Sequence, residues 1–135
     1  MLGVQRLRAS GRSDRDLLAA GRDDVGQASP PSAPLTGIST GDRHACGLLA
    51  DQALCWGDDD FGQATPPPGP LVRISAGSTH TCGVWVSGDI ACWGDDEYGK
   101  ASPPVDVFTH VGAGADYTCG LTAKGRLRCW GAIYR

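Results

Sequence analysis

The sequence predicts an all-β chain of tandem propeller-type blades, an open portion of a ring, and three sets of evenly spaced markers predict it. Trp56, Trp93 and Trp130 are spaced by 37 and 37, each preceded by Cys and followed by Gly. Cys46, Cys82 and Cys119 are spaced by 36 and 37, each followed by Gly, and Gly41, Gly77 and Gly114 keep the same intervals. Three independent markers in one register define a repeat of about 37 residues. A fourth element recurs with them. Gly21-Arg22-Asp23-Asp24-Val25-Gly26-Gln27-Ala28-Ser29-Pro30-Pro31 is echoed by the segments that begin at Gly57 and Gly94.

The middle copy shows how one unit folds. Leu71 to Gly77 alternates apolar and polar and ends at glycine, the pattern of a half-buried strand. Thr79 to Val86 is a second strand, rich in β-branched and aromatic residues; Ser87-Gly88-Asp89 is a turn; Ile90 to Trp93 is a third strand. From Gly94 an acidic loop runs to Pro103-Pro104, and prolines belong in a connection because they cannot donate to a ladder. Short strands at this period, with no helical periodicity, are the signature of a propeller blade. The expected organisation is residues 1–20 as a leader or degenerate half repeat, then repeats over 21–56, 57–93 and 94–130, with 131–135 opening a truncated unit.

Bulk composition agrees. The chain of 135 residues has the length of one ordinary domain, 41% hydrophobic and 20% charged residues, and 20 glycines with 9 prolines, which favours short strands joined by turns. A net charge of -3 supplies no basic patch for nucleic acid or acidic membrane. No run approaches the roughly 18 apolar residues that would insert into a membrane. Met1 to Ala20 carries Arg6, Arg8, Arg12 and Arg15 without a continuous apolar core, so no secretory signal is read there.

The six cysteines form three equivalent pairs, Cys46 with Cys55, Cys82 with Cys92, and Cys119 with Cys129, separated by 9, 10 and 10 positions. Hairpins closed at Val86-Ser87-Gly88 and Ala123-Lys124-Gly125 place glycine last, where a three-residue loop needs a left-handed residue. Ala50-Asp51 is the two-residue counterpart, without the usual glycine. Counted outward from each turn, every pair falls on the fourth rung, a non-hydrogen-bonded position with Cα atoms about 4.5 Å apart. Cross-strand disulfides are expected there, and buried reduced thiols are the alternative. Zinc is excluded by the absence of Cys-x-x-Cys spacing.

Other residues invite chemistry and do not sustain it. His44 and His80 occupy equivalent places that Tyr117 fills in the third copy, so the position is read as structural, a side chain hydrogen-bonding across the blade. His110 has no repeat counterpart, and no nucleophile–base arrangement can be built from these histidines. The acidic stretches Asp58-Asp59-Asp60 and Asp95-Asp96-Glu97 lack the glutamate that closes a twelve-residue calcium loop, because Gly69 stands in that place. They read as a solvated rim, better suited to a basic protein surface than to a metal. The framework tryptophans pack between blades, while Trp85, replaced by Leu49 and Thr122 in the other copies, is a candidate partner contact. Phe61, Tyr98, Asp60 and Glu97, on loops that vary over a fixed framework, complete the candidate contact set.

The stretches Ser75-Ala76-Gly77-Ser78-Thr79-His80-Thr81-Cys82-Gly83 and Cys92-Trp93-Gly94-Asp95-Asp96-Glu97-Tyr98-Gly99-Lys100 resemble the repeats of the regulator of chromosome condensation family. The cysteine-bearing version is similar to bacterial members and to the crinkly-type extracellular repeats of plant receptor kinases. The resemblance implies a ring of seven blades, which three and a half repeats cannot close. A piece of a longer propeller is therefore expected, or else association of several chains through open blade edges. It also implies a non-enzymatic protein-interaction module that needs no cofactor. Alternatives within that class are a guanine-nucleotide exchange factor for a small GTPase, the sensor or accessory domain of a larger receptor or enzyme, and an inhibitor that caps another protein's active site. If the cysteines are paired, an extracytoplasmic or secreted location is favoured and the exchange-factor reading weakens.

Overall fold

The computed structural model describes residue 32 and residues 34–132. The expected leader, 1–20, and the first acidic segment, 21–31, lie outside the described residues, as do the last three of the truncated unit. Nine strands form three separate sheets, each a three-stranded antiparallel meander. The first is β1 (Ile38–Thr40), β2 (His44–Leu49) and β3 (Gln52–Gly57). The second is β4 (Leu71–Ala76), β5 (His80–Trp85) and β6 (Ile90–Gly94), and the third is β7 (Phe108–Ala113), β8 (Tyr117–Thr122) and β9 (Leu127–Gly131). A single 3₁₀ turn, Glu97–Gly99, interrupts the connection after β6. Among the described residues, no helix is long and apolar enough to cross a membrane.

Register follows the turns. Leu49 pairs with Gln52 across Ala50-Asp51, whose φ angles of 50° and 72° supply a left-handed two-residue turn without glycine. The other two hairpins close on Trp85–Asp89 and Thr122–Arg126, and Gly88 (φ 99°) and Gly125 (φ 84°) take the left-handed place of their three-residue loops. Each cysteine pair then stands on the fourth rung from its turn. All three are disulfides, with Cα atoms 4.0 Å apart, slightly closer than the ideal non-hydrogen-bonded spacing.

The sheets stack face to face through their first two strands, β1 and β2 against β4, and β4 and β5 against β7. The core is accordingly two inter-blade layers. Leu48, Leu71 and Trp93 fill the first, and Cys82, Val84, Ile90, Phe108 and Trp130 the second. Phe108 and Trp130 meet edge to face with ring centroids 6.0 Å apart. The close approach of blades requires glycine on the inner turns: a Cβ on Gly41 would collide with the Gly77 carbonyl, and one on Gly77 with that of Gly114.

Candidate interaction surface

Position in the repeat decides what each polar side chain does, and the inner ones are consumed by the joints between blades. His44 Nε2 lies 2.8 Å from Thr81 Oγ1 and His80 Nε2 lies 2.7 Å from Thr118 Oγ1. Each threonine hydroxyl donates in turn to a connection carbonyl, Thr81 to Gln63 at 2.8 Å and Thr118 to Lys100 at 2.7 Å. With the hydroxyl proton committed, each imidazole must be the donor, which fixes its proton on Nε2. These histidines therefore bond to the next blade rather than across their own. Burial, reinforced by the nearby Lys100 and His44, lowers the pKa of His80 to about 4; burial also lowers that of His44. Both stay neutral at physiological pH and act as struts. His110 is exposed, its Nδ1 3.0 Å from Thr109 Oγ1.

The framework indoles complete the joints. Trp93 Nε1 donates to the Gln63 carbonyl at 2.9 Å and Trp130 Nε1 to the Lys100 carbonyl at 3.1 Å. Trp85 is half-buried against the Leu48, Leu71 and Trp93 layer, its ring over Gly69, where any Cβ would strike it. Its large apolar area is spent mainly on that slot.

The outward-facing groups sit on the two connections that follow β3 and β6. Asp59 Oδ1 accepts from Ala64 N at 2.8 Å and Oδ2 from Thr65 Oγ1 at 2.6 Å. Asp96 repeats this with Ala101 N and Ser102 Oγ, both at 2.7 Å. An aspartate followed six residues later by Ser or Thr thus staples each loop, a signal that was present in the sequence. Asp58 accepts from Gln63 Nε2 at 3.1 Å. Lys100, buried in the place of Gln63, pairs with Asp95 at 3.0 Å and Asp116 at 3.6 Å, and that pairing holds the Asp95 carboxyl below its usual range. Four of the six acidic side chains are thereby tied into architecture.

What remains outside is one acid and one aromatic per loop. Asp60 and Glu97 are exposed, and beside them Phe61 and Tyr98 are 51% and 60% exposed. Tyr98 is held at φ 65°, a left-handed conformation that costs a non-glycine residue about 1–2 kcal/mol. Among the described residues, no three His, Cys, Asp or Glu side chains are placed to hold one metal ion. A hollow of about 300 Å³ opens where the inner turns meet; on its wall Ser78 Oγ donates to the Asp42 carboxylate.

The model of the regulator of chromosome condensation (RCC1) repeat matches three times, over residues 36–63, 71–100 and 108–132, each match beginning at or just before the first strand of a sheet. The chain belongs to the regulator of chromosome condensation repeat family. No curated protein sequence matches it. Among solved structures, the ectodomain of the receptor kinase CR4 from Physcomitrella patens is 34% identical with a TM-score of 0.68, covering 76% of this chain and 30% of its own. The CRINKLY ectodomain of the receptor kinase ACR4 from Arabidopsis thaliana is 27% identical with a TM-score of 0.67, covering 82% and 41%. Prp20p of Saccharomyces cerevisiae, known for binding Gsp1p and histones, shares the fold at 16% identity and a TM-score of 0.63, covering 78% and 32%. This chain of RCC1 repeats spans between 30% and 41% of the length of these three propellers.

Proposed function

We propose that this RCC1-repeat chain is a non-enzymatic protein-interaction module whose two loop tips, Asp60-Phe61 and Glu97-Tyr98, meet a basic partner surface. The observation that carries the reading is the identical stapling of both connections by Asp59 and Asp96. Loops fixed before binding lose little conformational entropy on docking. Each tip offers an aromatic ring, a common anchor at interfaces, next to a carboxylate that favours a cationic neighbour. An enzymatic reading has less to work with, because the repeated carboxylates close loops and the repeated histidines hold blades together.

A second observation refines the setting. Three disulfides persist only in an oxidising compartment, and the 34% identity to a receptor-kinase ectodomain points the same way. An extracytoplasmic sensor or accessory domain of a larger receptor fits both better than an exchange factor working in a reducing compartment. Whether the chain forms part of a longer ring belongs to the same proposal. The binding test uses lysine- and arginine-rich peptides with interspersed leucines as probes. The intact chain is expected to retain them at low salt, and a variant with Asp60→Asn, Phe61→Ser, Glu97→Gln and Tyr98→Ser to lose at least about tenfold in affinity at unchanged thermal midpoint. Equal retention by both would overturn the assignment of this rim.

A further inference from the structure

The third sheet leaves uncovered the face that the first two sheets bury. Side chains alternate across a strand, so Tyr117, Cys119 and Leu121 of β8, with Leu127 of β9, share the face that His44, Cys46 and Leu48 occupy in sheet one. Within the chain that face is covered by the next blade: Leu48 is 8% exposed, Val84 1% and Ile90 8%. Their counterparts in the third sheet are Leu121 at 36% and Leu127 at 69%, with Tyr117 at 43%. The two internal joints state what covers such a face. It is a large apolar residue of a first strand, Leu71 or Phe108, together with the indole of a third strand, Trp93 or Trp130.

The first sheet carries the same covering set. Leu35 lies over Gly47 as Leu71 lies over Gly83 and Phe108 over Gly120, and Trp56 stands where Trp93 and Trp130 stand. Leu35 and Trp56 are both half-buried.

The polar groups of the joint change together at the two ends. Internally, a leading histidine donates to a receiving threonine. The third sheet leads with Tyr117 in place of histidine, and the first sheet receives with Ala45 in place of threonine. A sheet presenting threonine would leave its hydroxyl without an imidazole. A sheet presenting alanine leaves nothing unpaired, and the larger phenol ring offsets the smaller methyl. The internal joints have a second bond, from Ala76 N to Ser39 Oγ and from Ala113 N to Ser75 Oγ, both at 2.9 Å. Gly112 holds the corresponding place in the third sheet and offers no acceptor, so this joint is weaker than the internal ones.

We infer that the open face of the third sheet docks the first sheet of a second copy of this chain, head to tail, in the geometry that joins its own blades. The contact is heterologous, so it builds a closed ring if the rotation per copy closes and an open array if it does not. The inference is independent of the loop-rim reading, and its failure leaves that reading standing.

Sedimentation velocity of the intact oxidised chain over a concentration series is expected to show reversible oligomers. A Leu127→Asp variant, altered at an exposed position and so able to fold, is expected to remain monomeric with its circular dichroism unchanged. Two single-cysteine variants, Leu35→Cys and Leu121→Cys, stand where Leu71 and Leu48 meet internally. Mixed under oxidation, they are expected to cross-link to each other and neither to itself. A chain that stays monomeric up to about 1 mM, oligomers that Leu127→Asp leaves intact, or Leu121→Cys cross-linking to itself would each overturn the inference.

Discussion

Replacing Thr118 by valine isolates the strut that joins the second and third blades. The side chain is fully buried, accepts from His80 Nε2 at 2.7 Å and donates to the Lys100 carbonyl at 2.7 Å. Valine keeps the volume and removes both bonds. The Lys100 carbonyl still receives Trp130 Nε1 at 3.1 Å, so its side of the loss is the net value of one hydrogen bond, about 1 kcal/mol. The imidazole fares worse, because its Nε2–H is left buried without an acceptor, which costs a further 1–3 kcal/mol or so. The total, roughly 2–4 kcal/mol, is a large part of the 5–15 kcal/mol typical of a whole domain. Urea unfolding of the oxidised protein reads it as a fall in midpoint of about 1–3 M with an unchanged slope. Thr118→Ser keeps the hydroxyl and loses one methyl, so its cost stays near or below about 1 kcal/mol. If the valine variant unfolds within about 0.5 kcal/mol of the parent, or if serine is as damaging as valine, the strut does not hold the blades.

Three further perturbations probe the same architecture. His80 titrates near 4 in the folded chain against 6.5 when free, so the unfolded state binds more protons between those values. The stability tied to its neutral form is complete above pH 6.5 and is lost as pH falls through about 4, amounting to about 3 kcal/mol; thermal midpoints that stay level over that range would refute it. The cysteine pairs close segments separated by 9 and 10 positions, so reduction is expected to remove about 2–3 kcal/mol for each bridge and to lower the urea midpoint in proportion. Asp51→Gly relieves a left-handed residue at φ 72° and is expected to raise stability by up to about 1 kcal/mol, read from the same curves.

Strands and turns were legible because they depend on neighbours in sequence. The expected strands over Leu71 to Gly77, Thr79 to Val86 and Ile90 to Trp93 appear at Leu71–Ala76, His80–Trp85 and Ile90–Gly94. The position of glycine in two of the three turns was enough to put each disulfide on its rung. The joints were not legible, since they link groups 37 or 38 residues apart whose pairing depends on how sheets stack. Thr81 and Thr118 read as ordinary β-branched strand residues. Trp85, an indole found in one copy alone, read as a surface anchor because the slot over Gly69 appears only when the connection folds back on the sheet.

The substitution of Lys100 for Gln63 shows which positions of a repeat can vary at little cost. Both residues are buried, and both give the same service through the backbone: one carbonyl that accepts a threonine hydroxyl and an indole N–H. The side chain is free of that duty, so it can change chemistry if it finds local partners. Gln63 finds the Phe61 amide and Asp58; Lys100 finds Asp95, Asp116, the Thr79 hydroxyl and the Ala115 carbonyl. Stacking is thus fixed by main-chain acceptors and a few struts, while charge on the connections drifts from copy to copy. Binding specificity in such an array resides in the side chains that the stacking does not use. By that criterion the tips at Asp60-Phe61 and Glu97-Tyr98 are where a partner would be read.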